Sequence, residues 1–263
     1  MKEEVFTNPF ISVLLVDDNR VNQFLGKRLL KNIGVENVDL SSNGLDALNK
    51  IEEKKYDVLL TDIEMPGMNG YELSRTVRNQ DKVSSRKMLI IALTGNASED
   101  DKMKAQESGI DVFITKPYSP EDLLTVLNNH SKHLSPSLPI KEELKEIKVL
   151  HPGIQQIYTI FKNNQEDVRH FLMMLSFQIP ELHKEINTGI QEKNWEQVFQ
   201  ATHKIKSPLK LFGDSELIQL LEQLSLDAKE KEKVDTFQER MKTISILLDK
   251  TVNLIHETLD EMI

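Results

Sequence analysis

The sequence predicts an α/β domain followed by an all-α domain: a doubly wound parallel sheet of five β-α units, (βα)5, joined to an antiparallel helical bundle. Two patterns support this prediction. Between residues 10 and 132, short apolar runs alternate with longer amphipathic segments, as is typical of a parallel sheet with helices on both faces. After Leu150, helical periodicity replaces this alternation. A chain of 263 residues is long enough for two such domains.

Each apolar run in the first half is expected to be a strand, and each segment that follows it a helix. The predicted strands are residues 12–16, 38–40, 58–61, 88–93 and 112–115. The predicted helices are residues 19–33, 43–54, 69–80, 98–108 and 119–130. Asn43, Ser98 and Ser119 stand at the start of three of these helices and are suited to cap them.

A stretch rich in serine and proline, from His130 to Pro139, interrupts the β-α order and indicates a linker. We therefore assign residues 10–132 to the first domain, 133–150 to the linker and 151–263 to the helical bundle.

Five helices joined by short breaks are predicted in the second half, which is the pattern of antiparallel neighbours in a bundle. They lie near residues 153–162, 165–190, 194–210, 214–229 and 233–261. Asn194 and Asp214 are predicted N-caps, and Pro180 is expected to bend the second helix. Three apolar residues of that helix are expected in the core: Phe171, Met173 and Met174.

The composition excludes several kinds of protein. Because the chain has no cysteine, disulfides, thiolate metal sites and cysteine nucleophiles are excluded. The formal net charge is −9 and neither half is basic, so nucleic-acid binding is not expected. No apolar run approaches the roughly 20 residues that span a bilayer, and the acidic N-terminus is unlike a signal peptide. We expect a cytoplasmic protein that does not bind membranes.

Polar groups that suit a single site follow four of the five predicted strands. They are Asp17 and Asp18 after the first strand, Asp62 after the third, Thr94 after the fourth and Lys116 after the fifth. In a doubly wound sheet these ends converge on one edge, where ligands bind. Three carboxylates there would repel one another and favour Mg²⁺, a hard cation that takes oxygen ligands. A metal ion and a lysine would also neutralise a phosphoryl group, so Asp62 is the candidate phosphoryl acceptor.

Four motifs resemble those of the receiver domains of two-component response regulators, which have a flavodoxin-like fold. The motifs are VLLVDDN, LLTDIEMPGMNGYEL, ALTGNA and FITKPYSPEDLL, in that order along the chain. The resemblance implies that Asp18 and Asp62 ligate Mg²⁺ directly and that Asp17 does so mainly through water. It also implies that Glu64 contributes its backbone carbonyl to the metal.

The same resemblance implies roles for residues of the last two motifs. Thr94 would hydrogen-bond the phosphoryl group, and Lys116 would pair with one of its oxygens. Phe113 occupies the position of the family's switch aromatic, although a plain core role predicts the same residue. The bond before Pro117 is expected to be cis, as in relatives.

His203 lies in the third helix of the bundle, whose buried stripe is predicted from its apolar positions. At 100° per residue His203 falls about 160° from Ile205, so it should face solvent. Lys206 and Lys210 lie within about 60° of it and Phe199 within about 40°. The lysines could hold a phosphoryl group and meet an acidic receiver, while Phe199 supplies apolar contact. The predicted stripe comprises Val198, Ala201, Thr202, Ile205, Leu209 and Phe212.

The stretch ATHKIKSPLKLFG resembles the active-site helix of histidine phosphotransfer domains, whose pattern is roughly H-x-x-K-G-x-x-x-x-x-G. His203, Lys206 and Gly213 match this pattern. Ser207 stands where relatives often have glycine, and Pro208 is expected to kink the helix after the histidine. The resemblance implies that His203 carries a phosphoryl group.

We interpret the chain as a phosphorelay signalling protein that takes a phosphoryl group from phosphohistidine onto Asp62 and exchanges it through His203. The expected partners are a sensor histidine kinase, another receiver domain, or both. The sequence has no recognisable ATP-binding kinase domain, so it is not expected to be an enzyme that phosphorylates itself from ATP. It could nevertheless be the tail of a longer hybrid sensor kinase.

Two alternatives remain open. In the first, the receiver is retained and the bundle serves only as an interaction or dimerisation module. In the second, the protein is a metal-dependent phosphatase of the haloacid dehalogenase type, which also uses an aspartate at a strand end. That family requires Asp-x-Asp-x-Thr, whereas this chain has Asp62-Ile63-Glu64-Met65-Pro66.

Overall fold

The computed structural model describes residues 11–81, 88–95, 99–130 and 151–262. These residues fall into two compact units, divided between Glu146 and Ile147. The predicted linker and the predicted cap Ser98 lie outside the described residues.

The first unit is a five-stranded parallel sheet with alternating helices, which confirms the predicted α/β fold. Its strands have the order β2-β1-β3-β4-β5, which is the flavodoxin-like order of doubly wound sheets. The strands are β1 (Ser12–Val16), β2 (Asn37–Ser41), β3 (Val58–Asp62), β4 (Leu89–Thr94) and β5 (Val112–Thr115). The helices are α1 (Arg20–Asn32), α2 (Gly44–Glu53), α3 (Gly70–Asp81), α4 (Glu99–Ser108) and α5 (Pro120–His130).

The burial of the interior strands explains why short apolar runs predict the strands of this unit. Every residue of β1 and β3 is buried, because helices cover both faces of the sheet. The helices begin at side-chain caps of the expected kind. Asn43 Oδ1 accepts a hydrogen bond from the Asp46 amide, and Ser119 exchanges hydrogen bonds with Asp122 in a capping arrangement.

The second unit is helical, as predicted, and its helices begin and end within a few residues of the predicted positions. α7 packs against α8 and α10, and α9 packs against the same two helices. Asn194 and Asp214 cap α8 and α9 by accepting from the amides of Gln197 and Leu217. The helices are α6 (Pro152–Ile160), α7 (Gln165–Gln191), α8 (Trp195–Leu209), α9 (Ser215–Glu230) and α10 (Phe237–Asp260). Among the described helices, none is both long and apolar enough to cross a membrane.

The two prolines of the bundle lie inside helices. Pro180 is within α7, which is assigned as one continuous helix around it. Pro208 lies in the last turn of α8, and the chain continues from Leu209 as a 3₁₀ turn over Lys210–Phe212. Gly213 then ends this segment in the left-handed region, with φ of 72°, where glycine is favoured.

The core of the second unit differs from the prediction at Met173, and the predicted core residue Met174 is only half-buried. Phe171 is fully buried, as expected, but Met173 is 41% exposed. The reason is helical geometry: α7 already turns Phe171, Leu172 and Leu175 toward the core, and Met173 falls on the opposite side.

A buried ion pair joins α9 to α10. Asp227 is 1% exposed and accepts hydrogen bonds from Arg240 and from Gln223 Nε2, the latter at 2.9 Å. Burial acts to raise the pKa of Asp227, but these bonds and the Arg240 charge outweigh it, so the pKa lies below its ordinary value. Nearby, Trp195 and Phe237 stack edge to face with ring centroids 5.5 Å apart.

Candidate functional site

Three carboxylates meet at the C-terminal edge of the sheet. Asp17 and Asp18 follow β1, Asp62 ends β3, and these strands are neighbours in the sheet. One oxygen from each carboxylate lies within 4.8 Å of the others. Asp17 and Asp62 are only 1% and 2% exposed, so two of the three negative charges are withdrawn from water. The chemistry of this donor set fits a hard divalent cation.

Lys116 reaches into the same cluster from the end of β5. Its Nζ lies 2.8 Å from Asp17 Oδ2 and 2.7 Å from Asp62 Oδ2, and the side chain is buried. The Lys116-Pro117 peptide bond is cis, as expected. One ammonium thus contacts two carboxylates, and the three carboxylates still outnumber the positive charge.

The electrostatics of Lys116 and Asp17 follow from burial and from mutual attraction. Burial acts to lower the pKa of Lys116, but the carboxylates of Asp17 and Asp62 raise it above its ordinary value. Burial raises the pKa of Asp17, against the opposing effect of Lys116. Lys116 therefore stays protonated at neutral pH and supplies a fixed positive charge at this edge of the sheet.

Polar residues in the first turns of α1 hold Asp17 in place. Asp17 Oδ1 accepts hydrogen bonds from the Asn19 amide at 2.9 Å and from Asn22 Nδ2 at 3.2 Å. Gln23 Nε2 donates to the carbonyls of Asp17 and Ser41, tying the ends of β1 and β2 together. Sequence reasoning missed Asn22 and Gln23. The available signal was a pair of polar residues on the buried side of a predicted helix.

The other predicted site residues lie around this cluster. Thr94 ends β4 and is buried, and its carbonyl accepts from the Lys116 amide at 2.7 Å. The Glu64 amide lies 3.4 Å from Asp62 Oδ1. Phe113 is half-buried on β5 and packs against the core of the sheet, a position that suits both of its predicted roles.

A glycine allows the loop after β3 to approach Asp62 closely. A Cβ at Gly70 would lie 2.3 Å from the Asp62 carbonyl oxygen, so no larger residue fits there. The Gly70 amide instead donates to the Ile63 carbonyl at 2.9 Å. This close approach brings the first turn of α3 against the segment that carries Asp62.

His203 lies on α8, half-exposed, on the side opposite the buried stripe. Its ring centroid is 6.2 Å from that of Phe199, one turn earlier. The ammonium of Lys229, from α9, lies 5.1 Å from the centroid of the Phe199 ring. Sequence reasoning missed Lys229 because it belongs to a different helix. All six residues of the predicted stripe are buried: Val198, Ala201, Thr202, Ile205, Leu209 and Phe212.

The two lysines predicted beside His203 differ in their surroundings. Lys206 is half-exposed on α8, one turn after His203. Lys210 Nζ lies 3.3 Å from Glu222 Oε1 on α9, so its charge is already engaged within the bundle.

Residues 13–128 match the family described as "Response regulator receiver domain". Sensor protein EvgS of Escherichia coli K12 is 30% identical over 219 residues, which cover 82% of this chain and 17% of that protein. Hybrid signal transduction histidine kinase L of Dictyostelium discoideum is 36% identical over 125 residues, which cover 46% of this chain and 7% of that protein. The chain thus spans less than a fifth of the length of these relatives.

Two solved structures are similar to the first unit. One is the receiver domain of sensor histidine kinase PA1611 from Pseudomonas aeruginosa, with a magnesium ion coordinated in its active site cleft. It is 33% identical, with a TM-score of 0.41, and the match covers 45% of this chain and 95% of that one. The other is the receiver domain of Ssk1 in complex with the phosphotransfer protein Ypd1 from Saccharomyces cerevisiae, at 30% identity and a TM-score of 0.42, covering 46% and 86%. On the family match, residues 13–128 are a response regulator receiver domain.

Proposed function

We propose that this chain is a phosphorelay component in which Asp62 accepts a phosphoryl group from phosphohistidine and His203 exchanges phosphoryl groups with a receiver. The observation that carries the proposal is the contact of one buried ammonium, on Lys116, with Asp62 and Asp17 beside a third carboxylate. Phosphoryl transfer needs a positioned nucleophile and charge stabilisation, and this edge of the sheet supplies both.

Asp62 Oδ1 is the proposed nucleophile. Oδ2 is held by Lys116, whereas Oδ1 accepts a long hydrogen bond, of 3.4 Å, from the Glu64 amide. Oδ1 attacks phosphorus, a new P–O bond forms, and the P–N bond of the donor phosphohistidine breaks, with its electron pair returning to the imidazole nitrogen. Lys116 then pairs with a phosphoryl oxygen, and the Thr94 hydroxyl donates to another.

Magnesium is the proposed cofactor, held by Asp18 and Asp62, by Asp17 mainly through water, and by the Glu64 carbonyl. The donor set supports this assignment because all its groups are oxygens and three carry charge. When bound, the ion neutralises charge on the transferring phosphoryl group. Asn22 and the Asn19 amide hold Asp17 toward the cation position.

The second unit is proposed to be an antiparallel phosphotransfer bundle with His203 as its phosphoryl carrier. Support comes from the placement of His203 one turn from Phe199 and from Lys206, with the Lys229 ammonium on the Phe199 ring. The match to sensor protein EvgS covers 82% of this chain and so extends into the second unit, which means that both units resemble parts of one sensor protein. Ser207 in place of glycine would slightly restrict the approach of a receiver.

The chain is proposed to carry phosphoryl groups and not to take them from ATP. Its partners would be a sensor histidine kinase, another receiver domain, or both. Asp62 and His203 would then carry the phosphoryl group one after the other. The partner that supplies the phosphoryl group would determine which of the two residues is phosphorylated first.

The test is chemical labelling of the full chain with a small phosphodonor or a phosphorylated partner. A base-labile acyl phosphate is expected on Asp62 and an acid-labile, base-stable phosphate on His203. Asp62→Ala should remove the first and His203→Ala the second, while the control His183→Ala changes neither. Labelling of Asp62 alone would restrict the bundle to an interaction module. Steady multiple turnover of a phosphate ester would support the phosphatase alternative instead.

A further inference from the structure

An apolar stripe runs along the solvent face of α7. Met173 is 41% exposed and Phe177 is 70% exposed, although both are large apolar residues. His170 and Pro180 continue the same face with spacings of three residues on either side. The alternation of three- and four-residue steps matches the seam along which two helices pack.

The stripe is separate from the face that holds the bundle together. The core side of α7 carries Phe171, Leu175, Ile179 and Leu182, all buried. At 100° per residue, Phe177 points about 160° away from Ile179. The core of the second unit therefore forms without the stripe. The stripe remains exposed on α7, where a partner could bind it.

Charged residues lie at both ends of the stripe. Glu166 stands 11 residues before Phe177 and Lys184 seven residues after it, and both are exposed. At 100° per residue each falls within about 20° of the direction of Phe177. Glu181, also exposed, lies within about 40° of the direction of Phe177. The stripe therefore has an apolar centre, with Glu166 before it and with Glu181 and Lys184 after it.

We propose that α7 pairs in an antiparallel manner with α7 of a second copy of this chain. In the register that sets Met173 opposite Phe177 of the second copy, Glu166 lies opposite its Lys184. Two-fold symmetry repeats both contacts, so the centre is apolar and each end carries an opposite-charge pair. In the same register, His170 lies opposite Pro180 of the second copy, between the apolar centre and the charged pair at each end.

The charges decide the direction of pairing. A parallel pair would set Glu166 against Glu166 and Lys184 against Lys184, which is repulsive at both ends. A single helix face also buries less than the roughly 1,200 Å² of a standard stable interface. The dimer is thus expected to be weak and to depend on concentration and on salt.

The experiment is sedimentation equilibrium of the full chain up to millimolar concentration at low ionic strength. The wild-type chain should show a monomer–dimer equilibrium, and Phe177→Asp should remove the dimer. Ile246→Asp is the matched control: Ile246 is 58% exposed on α10, so its substitution should leave dimerisation unchanged.

Charge reversal tests the register directly. Glu166→Lys alone and Lys184→Glu alone should each weaken the dimer roughly tenfold, because each creates two like-charge contacts. The double variant, and an equimolar mixture of the two single variants, should recover the wild-type dissociation constant within about threefold. A wild-type chain that stays monomeric throughout, or single variants that weaken without recovery, would overturn the proposal. Labelling of His203 should be unchanged in Phe177→Asp, which separates this proposal from the phosphorelay itself.

Discussion

Lys116 Nζ lies 2.7 Å from Asp62 Oδ2 and so joins residues 54 positions apart in the chain. Lys116 directly follows β5, which is separated from β3 by β4 in the sheet, and the lysine side chain spans that strand to reach Asp62. The other oxygen of Asp62, Oδ1, accepts a long hydrogen bond from the Glu64 amide. The contact with Lys116 therefore both orients the proposed nucleophile and places a positive charge where a phosphoryl group would arrive.

Replacing Lys116 by methionine should abolish stable labelling of Asp62 and also destabilise the first unit. Two buried carboxylates would lose their shared counter-ion, and breaking such a buried pair costs about 3 kcal/mol. Chemical unfolding at pH 7 and phosphodonor labelling measure the two effects. Lys104→Met, an exposed lysine on α4, is the control and should change neither. Undiminished Asp62 labelling in Lys116→Met would contradict the role given to the lysine.

Magnesium should raise the thermal stability of the receiver unit, because the carboxylate cluster exists only in the folded chain. At a concentration 100 times the dissociation constant the gain is about 2.7 kcal/mol. Asp18→Asn should remove most of this gain, whereas Glu52→Gln, an exposed carboxylate on α2, should retain it. The measurement is the melting temperature with magnesium and with a chelator. If magnesium raised the melting temperature equally in both variants, the ion would bind at a site that does not include Asp18.

The ion pair of Asp227 and Arg240 predicts acid sensitivity of the helical unit. The pKa of Asp227 is lowered in the folded state, so its contribution is complete above the ordinary carboxyl pKa near 4. That contribution is lost as the pH falls from there toward the folded-state value. Arg240→Met should lower the free energy of unfolding at pH 7 by about 3–5 kcal/mol and flatten its decline below about pH 4.

Fluorescence of Trp195 measures this effect selectively, because it is the only tryptophan of the chain and it packs against Phe237 in the second unit. Lys242→Met, an exposed position on α10, is the control. If the free energy of unfolding of Arg240→Met declined in acid as steeply as that of the wild type, a carboxylate other than Asp227 would be responsible for the acid sensitivity.

Much of the receiver could be predicted from its sequence because the patterns that identify its strands, caps and site residues lie within a few neighbouring residues. An apolar run followed by Asp17, Asp62 or Lys116 is read from adjacent residues, and sheet topology then brings the strand ends together. The same locality explains the caps: Asn43 and Asp214 bond to amides three residues away.

Contacts between separate helices were not predictable in this way. The pairing of Lys210 with Glu222 and the position of Lys229 over Phe199 depend on how α8 and α9 are rotated against each other. That rotation is set by packing of the whole bundle. Gln23 was missed for a related reason, since its amide finds partners on two strands only after both strands are in place.

Lys229 should assist phosphoryl transfer to His203, although it belongs to the neighbouring helix. Its ammonium lies 5.1 Å from the Phe199 ring centroid, and that ring is 6.2 Å from the imidazole. The attraction of the ammonium to the aromatic face holds a positive charge on the ring that neighbours His203. Lys229→Gln should therefore slow labelling of His203 by about tenfold, which corresponds to a loss of about 1.4 kcal/mol of transition-state stabilisation.

Phe199→Leu tests whether the aromatic ring is needed to hold the Lys229 ammonium near His203. Leucine preserves apolar volume but removes the aromatic face, so the ammonium is no longer held and labelling should slow to a similar extent. The double variant should then be little slower than either single variant, because both act through one contact. The measurement is the initial rate of acid-labile label on His203, with Lys250→Gln, an exposed lysine on α10, as control. Additive effects in the double variant would show that Lys229 and Phe199 act independently, and an unchanged rate in Lys229→Gln would remove α9 from the phosphotransfer site.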